Sequence, residues 1–541
     1  MKKMIPAFLV ALISGFMFFI YEPLTMYATN VNDFWFDIYI MIKPSLLFFC
    51  LYFISVSVFF LIIYLANKHF SEKLHIYKGF IIASIIAMII LYIQGNFLIG
   101  GLPSLDGTEI DWNTYTKEII ISIIMMIIVS GIVIFTTLKF KYDKVIKVFS
   151  FILCAILFML STSLISVMTR EGVMNKKERV VALTTDNLNN ASINSNFYIL
   201  LVDAVDSSVF EKVMNNSDYG NTFEDFTYYP DTMSVYRFTR DTIPYIFSSG
   251  KLNRNETNFE EYYNSSFNNS TLLKELDSNG YMINFYEPNF GWNDKESDII
   301  DNLKVLNRSI DSVQYFKEVV KYDLFKYLPY PLKRYSHVEN MDFSNCQVLE
   351  EAERFSWDDK DYYENLIKTD IKKIDDKNFS FIHIEGAHVP LNYDEDLNKV
   401  EGGTYEQKVG ASLHIIDNFI DRLRENDVYD NSVIIIMSDH GYGFAEGEGR
   451  QNPILFIKGV NEHHEMIRSD KPVSFTDFNE IYKDLINGKT SENLLENVDY
   501  NRVRPFLWYE YNDEDHMIEY EQRGYAGDEE TLVPTGKEYN R

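Results

Sequence analysis

Ser432-Val-Ile-Ile-Ile-Met437 runs directly into Ser438-Asp439-His440-Gly441. The run is apolar at odd and even positions alike and rich in β-branched side chains. It reads as a strand buried on both faces, the kind found inside a sheet covered by helices on either side. An acid and an imidazole stand just past it, and both are common ligands of zinc or manganese. Gly441 permits a sharp turn that lets adjacent side chains converge. An exposed His in a turn is the plain alternative. In sheets of parallel strands, ligands collect beyond the carboxyl ends of the strands. The residues just past each strand are therefore the place to look for chemistry.

Similar apolar runs occur at 197–202, 281–286, 379–384 and 454–458, with helical patterns between them, for example at 362–374 and 406–424. Strands alternating with helices predict an α/β fold, a sandwich of helices about a mainly parallel central sheet. The first of these strands ends at Asp203, placed to act as a hard-metal ligand or as a plain helix cap. Thr239 opens the stretch Thr239-Arg-Asp-Thr-Ile-Pro244-Tyr-Ile-Phe-Ser-Ser-Gly250, apolar at helical spacing. A hydroxyl at a helix N-terminus faces free N–H groups and the positive end of the dipole. It can be an ordinary cap there, or an activated nucleophile. In Phe381-Ile-His383-Ile-Glu385-Gly386-Ala-His388-Val-Pro390, His388 comes after a strand end and a glycine turn, placed to bind a phosphate or move a proton. His383 lies within the strand and is expected to be structural. His414, in a helix, and His463 and His464, in a polar loop, are given no role.

Upstream, five apolar runs stand at 5–21, 44–66, 79–99, 119–138 and 148–168. Most have about the 20 residues that a helix needs to cross hydrocarbon. Lys2 and Lys3 precede the first; Lys68, Lys73 and Lys78 come after the second; Lys139, Lys141, Lys144 and Lys147 come after the fourth. The other loops carry Asp33, Asp37, Asp106, Glu109 and Asp111. Basic residues mark cytoplasmic loops, so everything after Arg170 is expected outside. The predicted layout is a transmembrane domain over 1–170, a polar linker over 171–195, and an extracytoplasmic catalytic domain over 196–541, in a multi-pass protein of the cell membrane. Polar groups within the runs are few, with Gln94 and Asn96 near an edge, so no ion relay is expected there. Anchoring is the expected role, with a lipid held near the active site.

The chain has 541 residues and a formal net charge of −28. Such a surface repels phosphate backbones, and nucleic acid is not an expected partner. Of three cysteines, Cys50 and Cys154 sit in apolar runs, which leaves Cys346 alone in the remainder and no disulfide framework.

Taken in order, strand–Asp203, Thr239 opening a helix, the His388 turn and strand–Asp439-His440-Gly resemble the sulfatase-like branch of the alkaline-phosphatase superfamily. Within it the chain is similar to membrane lipoteichoic acid synthases and phosphoethanolamine transferases, which also carry five N-terminal helices and an exported catalytic domain. The resemblance implies one divalent metal, zinc or manganese, held by Asp203, Thr239, Asp439 and His440. It implies Thr239 as nucleophile and His388 on the substrate side, with Arg450 able to hold a phosphate. The implied reaction moves a phosphoethanolamine or phosphoglycerol head group from a phospholipid to a cell-envelope glycan or lipid through a phospho-threonine intermediate. A sulfatase- or phosphodiesterase-type hydrolase and a degenerate non-catalytic membrane protein are the alternatives. The chain departs from the pattern in three ways. It lacks the Cys/Ser-x-Pro-x-Arg segment of sulfatases, which argues against sulfate-ester hydrolysis. It has Gln451 where relatives often carry a further His, and it lacks the disulfides of phosphoethanolamine transferases.

Overall fold

The computed structural model describes residues 2–540 except 35, 71–74, 103–109, 171, 178, 217–218, 220, 249, 255–257, 288–291, 293–294, 337, 340–341, 443–449 and 511–512. Lys73, Asp106 and Glu109 lie outside the described residues. The chain forms two compact units, one of Met1–Glu178 with Asn307–Glu350 and one of Arg179–Leu306 with Glu351–Arg541. The return of 307–350 to the first unit leaves no mark in hydropathy, and the layout expected from sequence did not contain it.

Among the described residues, the first unit holds five helices long and apolar enough to cross a membrane: α1 (Ile5–Thr29), α2 (Ile38–Phe70), α3 (His75–Phe97), α4 (Trp112–Lys139) and α5 (Tyr142–Met168). Each of the five expected runs falls on one of them, and α1 continues past its expected end. Within α1, Met17–Tyr21 is a π-helical turn. Such turns arise where an extra residue is fitted into a helix, frequently at functional sites. Just after it stands Glu22, 1% exposed.

The partners of Glu22 come from the helix Ser312–Tyr327, capped by Asp311, whose side chain accepts from the N–H groups of Val313 and Gln314. Lys326 Nζ lies 2.5 Å from one Glu22 oxygen and Tyr327 OH donates to the other at 2.5 Å. Tyr315 OH and Ser45 Oγ share a hydrogen bond of 2.6 Å, and Phe316 packs on Phe19 and Phe48. Tyr327 lies so close to α3 that a Cβ on Gly95 would collide with its ring.

The second unit is built on a seven-stranded mixed sheet. Its strands are β1 (Asn196–Val202), β2 (Thr227–Tyr228), β3 (Tyr281–Tyr286), β4 (Lys377–Ile384), β5 (Ser432–Met437), β6 (Leu455–Lys458) and β7 (Ile467–Arg468), in the order β7-β2-β6-β5-β1-β4-β3. The block β5-β1-β4-β3 is parallel, whereas β6 runs antiparallel to β5 and β2 antiparallel to β6. Alternate residues of each strand feed opposite cores. Phe197, Ile199, Leu201, Phe381, Ile435 and Met437 enter one; Tyr198, Leu200, Val202, Ile382, Ile434 and Ile436 enter the other. That double burial is why the strands read as continuous apolar runs.

Two expectations are corrected locally. The stretch expected as linker contains strands Val181–Leu183 and Asn190–Ser192, and these pair with Leu303–Val305 and Lys372–Ile374. Their partners lie far along the chain, so no local pattern announces them. For the same reason the helix expected over 362–374 is Asp359–Lys368, and Lys372–Ile374 is a strand.

Replacing Lys326 with Met removes the cation that pairs with Glu22 inside the first unit. A loss of about 3–5 kcal/mol is expected, read as a fall in Tm of the detergent-purified full chain. Adding Glu22→Gln should restore most of it, and an unchanged Tm in Lys326→Met would refute a stabilising role for the pair.

Candidate metal centre and nucleophile

Register brings the acids together. In the parallel ladder Met437 stands opposite Leu201, so two residues on, Asp439 stands beside Asp203. Both project from the sheet face that carries Leu201 and Met437. The helix α6 (Thr239–Phe247) covers that face through Ile243, Ile246 and Phe247.

Asp203, Asp439 and His440 each offer a ligand atom within 4.8 Å of the others, and all three are buried. Thr239 Oγ1 lies 3.3 Å from Asp203 Oδ2 and 3.3 Å from His440 Nε2. The expected set of Asp203, Thr239, Asp439 and His440 therefore meets at one point. The plain reading of Thr239 as a helix cap is not what is seen. Phe238 is the N-cap residue and makes no side-chain cap bond, so the Thr239 hydroxyl is left to the acids and the imidazole.

The surrounding backbone is tightly arranged. His440 Nδ1 donates to the Gly441 carbonyl at 2.8 Å, which leaves the Nε2 lone pair facing the cluster. The Ala204 N–H donates to Asp439 Oδ1 at 3.2 Å, and Ser438 Oγ accepts from the Val205 N–H at 2.8 Å. Ala204 and Arg450 adopt left-handed backbone, with φ of 56° and 60°. Strain of this kind persists where the surroundings over-determine it, often at functional sites. Gly441 serves by its size: a Cβ there would meet Asp206 Oδ2 at 3.0 Å and the Asn452 carbonyl at 3.2 Å. Gly386 is needed for both reasons. Its φ is +61°, and a Cβ would strike the Asp203 backbone at 2.5 Å.

The electrostatics are those of a site built for a cation. Burial and the like charge of Asp439 push the Asp203 carboxyl up. Burial opposes charge on Asp439 too, yet His440 and His383 hold it below the usual carboxylate range. Burial lowers both imidazoles in turn, His383 to about 4. Asp203 Oδ1 and Asp439 Oδ2 are buried with no hydrogen-bond partner among the described residues. Two orphaned carboxylate oxygens, an imidazole nitrogen and a hydroxyl form a nitrogen–oxygen donor set that fits a divalent ion.

His383 proves to be more than a strand residue. Its Nε2 lies 3.2 Å from Asp203 Oδ2, and its Nδ1 is hydrogen-bonded to Glu287. Register accounts for this too: Ile382 pairs with Tyr286, so Glu287, just past β3, stands beside His383. The Glu287–His383–Asp203 chain orients the first acid. The sequence carried no signal for this, because only the register that sets His383 opposite Leu201 puts it on the face that leads to Asp203.

His388 stands outside the ligand group, half-buried. Its Nδ1 is bonded to the Val389 carbonyl at 2.6 Å and its ring lies 5.4 Å from Trp357. It is near enough for its positive form to favour ionised Asp203. The Arg450 guanidinium lies 5.0 Å from the Phe238 ring and interacts with both acids. Arg237, which no sequence motif singled out, lies 5.2 Å from the same ring and 4.6 Å from Trp508. Gln451 is buried and donates to the Ala526 carbonyl at 3.0 Å, which ties the site to the C-terminal segment. His414 joins Tyr219 and Tyr363 and lies outside the cluster, as expected.

Residues 206–471 match the family model described as Sulfatase. No curated protein matches the sequence. Among solved structures, Ps i-CgsB in complex with k-i-k-neocarrahexaose is similar at 13% identity over 61% of this chain and 82% of its own, with a TM-score of 0.39. An alkaline phosphatase superfamily protein from Vibrio parahaemolyticus shares 11% identity over 66% of this chain and 81% of its own, at 0.35. The C-terminal periplasmic domain of EcEptC from Escherichia coli shares 11% over 66% and 96%, at 0.32. At such identities and TM-scores these likenesses carry no assignment of activity.

Titration of the metal-stripped full chain with Mn²⁺ should show one tight site. Asp439→Asn should abolish it, and His383→Ala should weaken it about 10–100-fold. Unaltered affinity in both variants would place the ion elsewhere.

Proposed function

With residues 206–471 identified as a sulfatase-family domain, we propose that the chain is a membrane-anchored, metal-dependent phosphotransferase. It moves a phospho-head group, phosphoethanolamine or phosphoglycerol, from a phospholipid to a hydroxyl of a cell-envelope glycan or lipid. The observation that carries this reading is Thr239 Oγ1 at 3.3 Å from both Asp203 and His440, at the start of a helix. Five helices fit to cross a membrane support a lipid donor and an extracytoplasmic catalytic domain. The absence of a Cys/Ser-x-Pro-x-Arg segment argues against a sulfate ester.

Asp203, Asp439, His440 and the Thr239 oxygen would hold the ion, zinc or manganese. A divalent cation bound there favours the ionised hydroxyl and offsets charge on phosphoryl oxygens. Thr239 Oγ1 attacks phosphorus, and the bond from phosphorus to the diacylglycerol oxygen breaks. His388 gives that oxygen a proton, while the Thr239 proton passes to solvent. The head group then rests on Thr239 as a phosphodiester. An acceptor hydroxyl attacks the same phosphorus, His388 takes its proton, and the Thr239 oxygen leaves and is reprotonated from solvent. Arg450 pairs with non-bridging oxygens through both steps.

Intact and peptide mass spectrometry of the chain purified from membranes should find a phosphoglycerol or phosphoethanolamine adduct on Thr239. Thr239→Ala should lose the adduct and about 10⁴-fold or more of the transfer rate while keeping its Tm. Head group released to water with no modified acceptor would make the chain a hydrolase. Full transfer by Thr239→Ala would end the nucleophile assignment.

A further inference from the structure

The first unit holds a cavity of about 330 Å³. Its walls come from three of the apolar helices and from Ser312–Tyr327, and include Phe19, Tyr52, Phe316, Val320, Asp323 and Tyr327. Phe18 and Phe19 belong to the π-helical turn of α1, so the irregular part of that helix faces the space. The volume falls within the range of about 300–1,000 Å³ common to small-molecule sites. It is too small for a helix of a partner protein, about 10–12 Å across with its side chains.

The polar groups beside the cavity narrow its occupant. Lys326 is committed to Glu22, and so is the Tyr327 hydroxyl. Asp323 is left over: 8% exposed, in the wall, with its Oδ1 atom lacking a hydrogen-bond partner among the described residues. Burial, and then the charge of Glu22, push the Asp323 carboxyl well above the ordinary range. The wall thus offers apolar surface and one hydrogen-bonding acid. A phosphate would meet the Asp323 carboxyl, with no cation among the described wall residues to hold it. A neutral lipid with a single hydroxyl meets no such penalty.

We propose that this cavity binds a neutral lipid of the diacylglycerol type, with one acyl chain among Phe19, Tyr52, Phe316 and Val320 and its free hydroxyl bonded to Asp323. That such a lipid is produced by the protein rests on the proposed transfer, in which diacylglycerol is the leaving group; the cavity and its chemistry do not.

The test is photolabelling of the full chain in liposomes. Three probes carry the same diazirine acyl chain on diacylglycerol, phosphatidylglycerol or phosphatidylethanolamine. The diacylglycerol probe should label peptides containing Tyr52 and Phe316–Leu328 at least about fivefold more than the other two, a preference near 1 kcal/mol. Val320→Trp should remove the labelling by filling the space, and Leu324→Trp serves where Val320→Trp lowers Tm. Asp323→Leu should remove the preference, and Asp323→Asn, which keeps a hydrogen-bonding group, should retain it. Equal labelling by all three probes, or labelling indifferent to both Trp variants, overturns the proposal. Thr239→Ala separates the two readings: its labelling should match the parent chain, so a failed transferase assignment leaves this site standing.

Discussion

Two carboxylates side by side in the interior are the constraint on which the second unit turns. Asp203 and Asp439 are almost fully buried, and one oxygen of each lacks a hydrogen bond among the described residues. Two like charges at such separation and burial oppose folding unless a cation joins them. The surroundings are arranged accordingly. His440 turns its Nε2 inward, His383 steadies Asp203 from behind, and the Ala204 N–H fixes the far oxygen of Asp439. An ion held there would be a structural partner, because it would satisfy the atoms that the chain leaves unsatisfied.

The sequence displayed this centre unusually well, for a physical reason. Strands buried on both faces must be apolar throughout, so the polar residues just after them stand out. That is how Asp203, Asp439 and His440 were legible, and parallel pairing did the rest by bringing two strand ends level. Thr239 was legible only as one of two readings, because a cap and a nucleophile look alike in sequence. The structure removes the first of them, because Phe238 takes the cap position and the Thr239 hydroxyl is turned to the acids and the imidazole. His383 and Glu287 were not legible in this way. One sits inside an apolar strand and the other just past a neighbouring strand, and only the lateral register of β4 on β3 reveals them as a pair.

The first unit teaches the opposite lesson. Hydropathy located all five of its long helices, since a chain that folds in water rarely needs twenty apolar residues in a row. It said nothing of Glu22, which stands just beyond the expected end of the first run, nor of the helix Ser312–Tyr327, which looks like an ordinary amphipathic helix of a soluble domain. The ion pair joining them spans 304 residues of sequence. No periodicity encodes such a pairing, and its only local trace is a lone acid at the edge of an apolar helix. A buried charge in such a helix calls for a named partner, and that question would have pointed to Lys or Arg elsewhere in the chain.

The exposure of the centre bears on how an anionic substrate can approach. The chain carries a formal net charge of −28, and its two buried acids add a local negative field. A phosphodiester would be repelled by both. Against this stand two guanidinium groups, Arg237 and Arg450, each near the Phe238 ring beside Thr239. Burial, and then the positive charge of Arg237, lower the Arg450 pKa, in keeping with two cations held close together. The three ligands of the acid cluster are buried, whereas Thr239 is only partly so. The hydroxyl therefore lies at the edge of the cluster, with a cation-demanding pocket behind it and arginines nearby. On the proposed reading, those guanidinium groups would hold the phosphoryl oxygens as the phosphorus meets the oxygen of Thr239.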